Sequence, residues 1–194
     1  MIHHEDGRQE LQPYGNKPHE VIYSVSRGAL NKLLMDAAEA RGVVIRFNER
    51  CDSVDPAERE LVLVDEADGG TRTVPFERLI GADGGGSVVR GAIAWATAST
   101  VAEEKLGHAY KELTIPPAPG GGFRMERNAL HIWPRGGYML IALPNTDGSF
   151  TATLFLPNEG EDSFAALATK ADVTAFFQHN FVDAVPLIED VSKS

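Results

Sequence analysis

Arg78-Leu79-Ile80-Gly81-Ala82-Asp83-Gly84-Gly85-Gly86-Ser87-Val88-Val89-Arg90 is a short apolar run that meets an acid, three glycines and a hydroxyl. It reads as a strand over 78–82 that runs into a sharp turn. Glycine has no Cβ, so such a turn can bring backbone amides close to a ligand. An acidic side chain at the C-terminal end of a strand is placed to accept from ribose hydroxyls or to order water near a pyrophosphate. The alternative is a glycine-rich turn with a solvated Asp83, and the glycines alone leave the two readings balanced. The order Gly-Ala-Asp-Gly, with Ser87 and Arg90 at fixed offsets, tips the balance toward a ligand.

Upstream, the spacing predicts a helix over 26–41. Ser26 offers a cap, Leu30, Leu33, Leu34, Ala37 and Ala38 share a face at a 3.6-residue period, and Gly42 sits where a C-terminal cap belongs. Val43 to Phe47 is apolar and β-branched, and it is expected to neighbour 78–82 in one sheet. Leu61-Val62-Leu63-Val64 and Thr71-Arg72-Thr73-Val74 flank Asp68-Gly69-Gly70, a hairpin signal. Val21 to Val25 is β-rich. Residues 1–20 carry Gly7, Pro13, Gly15 and Pro18, and read as turns around at most one short strand. Arg27 follows the helix cap, where a guanidinium opposes the helix dipole and an arriving phosphate would reverse that sign. A solvated surface arginine is the competing reading.

Downstream, 91–105 is alanine-rich and suits either helix or linker. Beyond Pro116-Pro117-Ala118-Pro119-Gly120-Gly121-Gly122 the period falls to two. Leu130 to Trp133, Tyr138 to Leu143 and Phe150 to Leu156 read as strands of a separate antiparallel sheet, with Asn145-Thr146-Asp147-Gly148 turning between the last two. Ser163 to Thr169 and Val173 to Phe181 read as helices, with Asp172 as a cap. The fold class is α/β, a parallel-sheet layer joined to a mainly antiparallel β-sheet layer, divided into residues 1–105 and 106–194. Met139, Ile141 and Leu143 alternate along one strand, as do Thr151, Thr153 and Phe155 along the next. Core packing accounts for such a pattern, and so does a pocket for a flat apolar ring. Tyr14, between Pro13 and Gly15, either points a phenol toward a pocket or covers the core edge.

Composition excludes several classes. Eighteen Lys and Arg against 28 Asp and Glu give a net charge of −10 over 194 residues, which repels nucleic-acid phosphates and anionic lipid. One cysteine, Cys51, rules out an internal disulfide framework, so the expected setting is cytoplasmic. The most apolar stretch, Tyr138 to Pro144, is far short of the about 20 residues a membrane span needs. The six histidines have no partners at metal-ligand spacing, and His3-His4 reads as an exposed pair. No Gly-x-Ser-x-Gly, metalloprotease helix motif or Walker loop is present.

Met1-Ile-His, Gln12-Pro-Tyr-Gly, Ser24-Val-Ser-Arg, Gly81-Ala-Asp-Gly and Lys111-Glu-Leu-Thr-Ile-Pro-Pro stand in that order. Leu130-His-Ile-Trp-Pro-Arg, Leu140-Ile-Ala-Leu-Pro-Asn, Thr153-Leu-Phe and Asp183-Ala-Val-Pro-Leu-Ile follow. Together they resemble the kynurenine 3-monooxygenases, FAD- and NADPH-dependent aromatic hydroxylases. The resemblance implies that one atom of O₂ is placed on the ring of L-kynurenine, ortho to its amino group. It gives Arg27 to the FAD phosphate region and Asp83 to the flavin-side turn. Tyr14 goes to the substrate carboxylate, and Leu130, Ile141, Leu143 and Phe155 to the ring pocket. Cys51 stands where the family has an aliphatic residue near the adenine, so only its backbone contact carries over. Val88 replaces a hydroxyl residue that borders FAD.

The family's Gly-x-Gly-x-x-Gly motif occurs nowhere in the chain. By resemblance it belongs before residue 1, together with the arginine that pairs with the substrate carboxylate. The later Gly-Asp-Ala motif belongs beyond Ser194. The chain thus reads as an internal fragment, inactive alone and unable to hold FAD tightly.

Overall fold

The computed structural model describes residues 1–17, 19–189 and 191, so Pro18, read above as a turn residue, lies outside the described residues. In chain order the elements are β1 (Ile2–His3), β2 (Gln9–Glu10), α1 (Arg27–Glu39), β3 (Glu49–Asp55), β4 (Glu60–Asp65) and β5 (Thr71–Pro75). Then come α2 (Val88–Thr97), β6 (His108–Ile115), β7 (His131–Arg135), β8 (Tyr138–Pro144), β9 (Phe150–Pro157) and α3 (Lys170–Asn180). They fall into two compact units, Met1–Asn31 with Lys105–Ser194, and Lys32–Glu104.

The first unit is built on a six-stranded sheet in the order β2-β1-β7-β8-β9-β6. All its neighbours are antiparallel except β1 and β7, which run parallel through Ile2 and Ile132. Burial alternates without a break along β9, as the period-two sequence requires. Trp133, Leu140, Ala142, Phe150, Ala152, Leu154 and Leu156 fill one face, under Phe176 and Phe177 of α3 and the following Phe181, Ala184 and Ile188. Fully burying a Leu- or Phe-sized side chain contributes about 1.5–3 kcal/mol, so this face is the unit's core. Thr169 caps α3 by accepting from the Asp172 amide, while the Asp172 carboxylate accepts from the Thr169 amide. Asp172, expected as the cap, is therefore the third helical residue of a reciprocal capping pair. The expected helix over 163–169 is a single 3₁₀ turn, Phe164–Ala166, started by the Ser163 hydroxyl.

The second unit is a β3-β4-β5 meander with α2 packed against β3. The Asp68-Gly69-Gly70 turn sits between β4 and β5 as the hairpin signal indicates, with Gly69 at φ 75°. The alanine-rich segment is helical to Thr97, closed by Ala98 in the left-handed region.

Three expectations fail for one reason. Residues 43–47 and 78–82 are not strands, and Val21 to Val25 forms no element. A strand exists only where a neighbour takes up its amides and carbonyls, and among the described residues none lies beside these segments. Their side chains are accordingly open, with Val44 78% and Ile80 90% exposed. Helix α1 forms as expected, with the Ser26 hydroxyl accepting from the Ala29 amide and Gly42 at φ 84°. None of its residues is buried, so its apolar stripe is present but uncovered. Residues 1–20 hold two short strands rather than one. His3 is 3% exposed, not part of an exposed pair.

Candidate functional site

In the second unit the candidate site is the turn that precedes α2. Asp83 stands at its centre. One carboxylate oxygen accepts from the Ser87 hydroxyl at 2.6 Å and the other from the Val89 amide at 3.2 Å. Ser87 in turn accepts from the Arg90 amide at 2.9 Å, which starts the helix. The Ser87 hydroxyl bond, followed by backbone amides, holds the Asp83 carboxyl below the usual carboxylate range, so it is an anion near neutrality. Gly81 has no room for a side chain, since a Cβ there would meet Val89 Cβ at 2.8 Å. At Gly84, Gly85 and Gly86 the reverse holds, and nothing lies within 4 Å of an added Cβ. The turn is thus closed on the helix side and open on the other, with backbone amides approachable there. Arg90 reaches back to the Gly85 carbonyl at 2.6 Å and across to Glu103 at 2.9 Å. Gly81, Ser87, Val89, Arg90, Ile93 and Val101 border a shallow groove beside the turn.

Val88 opens α2 and is half-buried beside Asp83. Cys51 lies on β3, at a bulge between Cys51 and Ser53, and its thiol donates to the Ser53 carbonyl at 3.8 Å. Burial first, then the Asp83 charge, pushes that thiol above its ordinary value, so Cys51 stays protonated and is a poor nucleophile. The structure therefore brings three of the sequence-assigned cofactor residues, Cys51, Asp83 and Val88, together within one unit.

The assigned ring-pocket residues lie in the first unit. Register pairs Met139 with Phe155, Ile141 with Thr153, and Leu143 with Thr151. Residues paired directly across an antiparallel ladder share a face, and this face is opposite the buried core. Ile132 and Glu112 extend the Ile141–Thr153 row at its two ends, and Tyr110 extends the Met139–Phe155 row. Tyr110 and Phe155 rings lie 6.0 Å apart. Leu130 precedes β7, and its carbonyl accepts from the Met1 nitrogen at 2.7 Å. One sheet face thus offers half-exposed aliphatic and aromatic side chains in register, a floor for a flat apolar ring.

Arg27 pairs with Glu112 at 3.4 Å, with side chains 76% and 48% exposed, so the pair itself adds little stability. Its guanidinium is open to a further anion. Tyr14 is 71% exposed in an irregular segment and has no described hydrogen bond from its hydroxyl.

A buried polar cluster escaped the sequence. His3 Nδ1 lies 3.0 Å from Asp183, His3 Nε2 2.9 Å from His131 Nδ1, and His131 Nε2 2.9 Å from the Glu126 carbonyl. Trp133 donates to the same Asp183 oxygen at 2.8 Å and stacks on His3 with centroids 4.0 Å apart. Period two along Leu130-His131-Ile132-Trp133 does place His131 and Trp133 on one face. Nothing in the sequence reports His3 and Asp183 beside them. Among the described residues no group of three or more His, Cys, Asp or Glu could hold a metal ion. No described helix is long and apolar enough to cross a membrane.

The family model described as FAD binding domain matches residues 3–133. A kynurenine 3-monooxygenase of Xanthomonas axonopodis pv. citri (strain 306) is 48% identical over 193 residues, 100% of this chain and 42% of the relative. One from Myxococcus xanthus (strain DK1622) is 50% identical over 192 residues, 98% of this chain and 41% of the relative. The chain thus spans about two fifths of the length of the curated relatives it matches. The flavin-dependent monooxygenase PieE, solved with FAD and substrate, superposes with a TM-score of 0.58 at 17% identity, over 86% of this chain and 29% of that one. The flavin-dependent halogenase CmlS gives 0.55 at 17% identity, over 87% and 30%. At that identity the two solved structures bear on fold alone.

Proposed function

The chain belongs to the FAD-binding-domain family, and on that premise we propose that it is part of a monooxygenase converting L-kynurenine to 3-hydroxykynurenine with FAD, NADPH and O₂. One observation carries the choice of substrate: whole-chain identity of nearly one half to relatives named kynurenine 3-monooxygenase. Residues 1–105 serve mainly the cofactor side and 106–194 the substrate side.

The open glycines at 84–86 and the fixed Asp83 anion suit a nucleotide. Asp83 would accept from its hydroxyls, and the backbone beside Cys51 and Val88 would line it. Arg27, held by Glu112 yet largely exposed, would face phosphate. That cation matters in a chain of net charge −10, which otherwise repels a dinucleotide. When bound, FAD supplies the passage of reducing equivalents from NADPH to O₂ and the delivery of one oxygen atom to the ring. The chain's own contribution is to seat the ring on Leu130, Ile141, Leu143 and Phe155 and to keep water from it. The Tyr14 phenol would donate to the substrate carboxylate. No side chain here is assigned to bond breaking.

Large apolar side chains left open, Tyr23 at 89%, Ile80 at 90% and Trp95 at 82%, support a chain that works with further surface over it. Alone it should hold FAD loosely, because the family's Gly-x-Gly-x-x-Gly loop at a helix N-terminus normally supplies the pyrophosphate site and that motif occurs nowhere in this sequence. Single-cysteine composition supports a cytoplasmic setting.

A chimera tests the proposal: these residues in place of the aligned 193 of the Xanthomonas relative, assayed for NADPH oxidation. L-Kynurenine should stimulate oxidation and a simple phenol should not. A yellow, folded chimera stimulated only by the phenol, or by neither, would contradict the assignment.

A further inference from the structure

His3 on β1 and His131 on β7 are 3% and 2% exposed, with facing ring nitrogens 2.9 Å apart. The two rings stand in a series of three contacts whose outer ends are both acceptors. At one end is Asp183 Oδ2, 3.0 Å from His3 Nδ1, which also accepts from Trp133 Nε1 at 2.8 Å. At the other is the Glu126 carbonyl, 2.9 Å from His131 Nε2. A carbonyl cannot donate, so His131 Nε2 must carry a proton. An ionised carboxylate only accepts, so His3 Nδ1, facing the Asp183 oxygen that already accepts from Trp133, must carry one as well. The nitrogen–nitrogen contact between the rings needs a third. Two neutral imidazoles bring only two, and that count would set two lone pairs against each other inside a buried site.

We propose that His3 and His131 hold three ring protons between them at neutral pH, a one-proton binding site matched by Asp183 that fastens β1 to β7. A fourth proton is excluded, because no acceptor remains for it. The surroundings disfavour charge on either ring, which reinforces that limit and works against the third proton as well; the hydrogen-bond geometry is what requires the third. Burial, first of all, pushes each imidazole below its ordinary value, and the Met1 amine works the same way on both. Arg135, whose guanidinium donates to the His3 carbonyl at 3.2 Å, lowers His3 further, and His3 lowers His131. Asp183 opposes this at His3, as the carbonyl and charge of Glu126 do at His131. The titration therefore belongs to the pair and not to either ring.

The fastening matters because β1 is two residues long and meets β7 in register only through Ile2 and Ile132. So short a ladder holds weakly by itself. Ile132 is also the end of the open row that contains Ile141. Loss of the shared proton should loosen that edge of the face. The proposal rests on this geometry alone and stands or falls apart from the kynurenine assignment.

Ring-nitrogen ¹⁵N spectra of the 194-residue chain test it. At about pH 7, near the ordinary imidazole midpoint, three of the four nitrogens of His3 and His131 should carry protons. A scalar coupling should join His3 Nε2 to His131 Nδ1. Two or four protonated nitrogens, or three without the coupling, would overturn the proposal. Asp183→Asn keeps an acceptor but removes the charge, and it should drop the count from three to two at the same pH. A folded Asp183→Asn chain that keeps three would overturn the role of Asp183. The wild-type count decides the main point even if that variant does not fold.

Discussion

Gly81→Ala puts one methyl where the second unit has no space for it. Its Cβ would meet Val89 Cβ at 2.8 Å, Val89 Cγ1 at 2.9 Å and Asp83 Oδ1 at 3.1 Å. Val89 is 8% exposed, and a β-branched side chain in a helix has few other rotamers to adopt. The start of α2 must therefore move, which stretches the 3.2 Å bond from the Val89 amide to Asp83. Overpacking of this kind costs about 1–3 kcal/mol. The neighbouring glycines supply the controls. Gly84 has open space but φ 77°, so Gly84→Ala should cost about 1–2 kcal/mol through backbone strain alone. Gly85 has neither obstacle, so Gly85→Ala should fall within about 0.5 kcal/mol of the parent. Urea unfolding of each chain, followed by far-ultraviolet circular dichroism, measures the series. Amide exchange at Val89 should quicken only in Gly81→Ala. Equal stability of Gly81→Ala and Gly85→Ala would refute the close packing of this turn on α2.

Three further outcomes are expected. Trp133→Phe removes the indole donor to Asp183 and part of a fully buried ring, for about 3 kcal/mol in total; the melting midpoint should drop by about 6–12 °C, and a drop under about 2 °C would contradict it. Burial, then the charge of Asp162, pushes the Tyr138 phenol up to about 12. Since its folded value is raised, its stabilisation is complete below the ordinary phenol value of about 10 and is lost as pH climbs from there to about 12; ultraviolet titration should show a late phenol that Tyr138→Phe removes. In the chimera, Tyr14→Phe should weaken L-kynurenine by roughly tenfold, one hydrogen bond to a charged group, and leave FAD content unchanged; lost flavin with unaltered kynurenine affinity would return Tyr14 to a surface tyrosine.

What the sequence revealed was what short-range pattern encodes. Alternation over 138–156 located β8, β9 and their turn, and it also separated the open Ile141, Leu143 and Phe155 from the buried Leu140, Ala142 and Leu154. The hydroxyl at Ser26 and the freedom of Gly42 bracketed α1. Residues 43–47 and 78–82 have strand composition yet form no strand, because composition cannot supply a hydrogen-bonding neighbour. Strand β6 was missed since its first half, His108 to Glu112, is exposed on both faces and shows no apolar period. The His3–Asp183 contact joins residues 180 apart in sequence, and no local spacing could announce it. At the candidate site, the Gly-Ala-Asp-Gly order was legible, while the split between the closed Gly81 and the open Gly84 to Gly86 is set by how the turn packs on Val89, which local sequence does not encode.

The most direct measurement is the fate of molecular oxygen in the chimera. Under ¹⁸O₂, with NADPH and L-kynurenine, the expected product is 3-hydroxykynurenine carrying one ¹⁸O atom on the ring. A folded chimera that holds FAD and consumes NADPH yet returns L-kynurenine unlabelled would contradict the assignment of this sheet face to kynurenine hydroxylation.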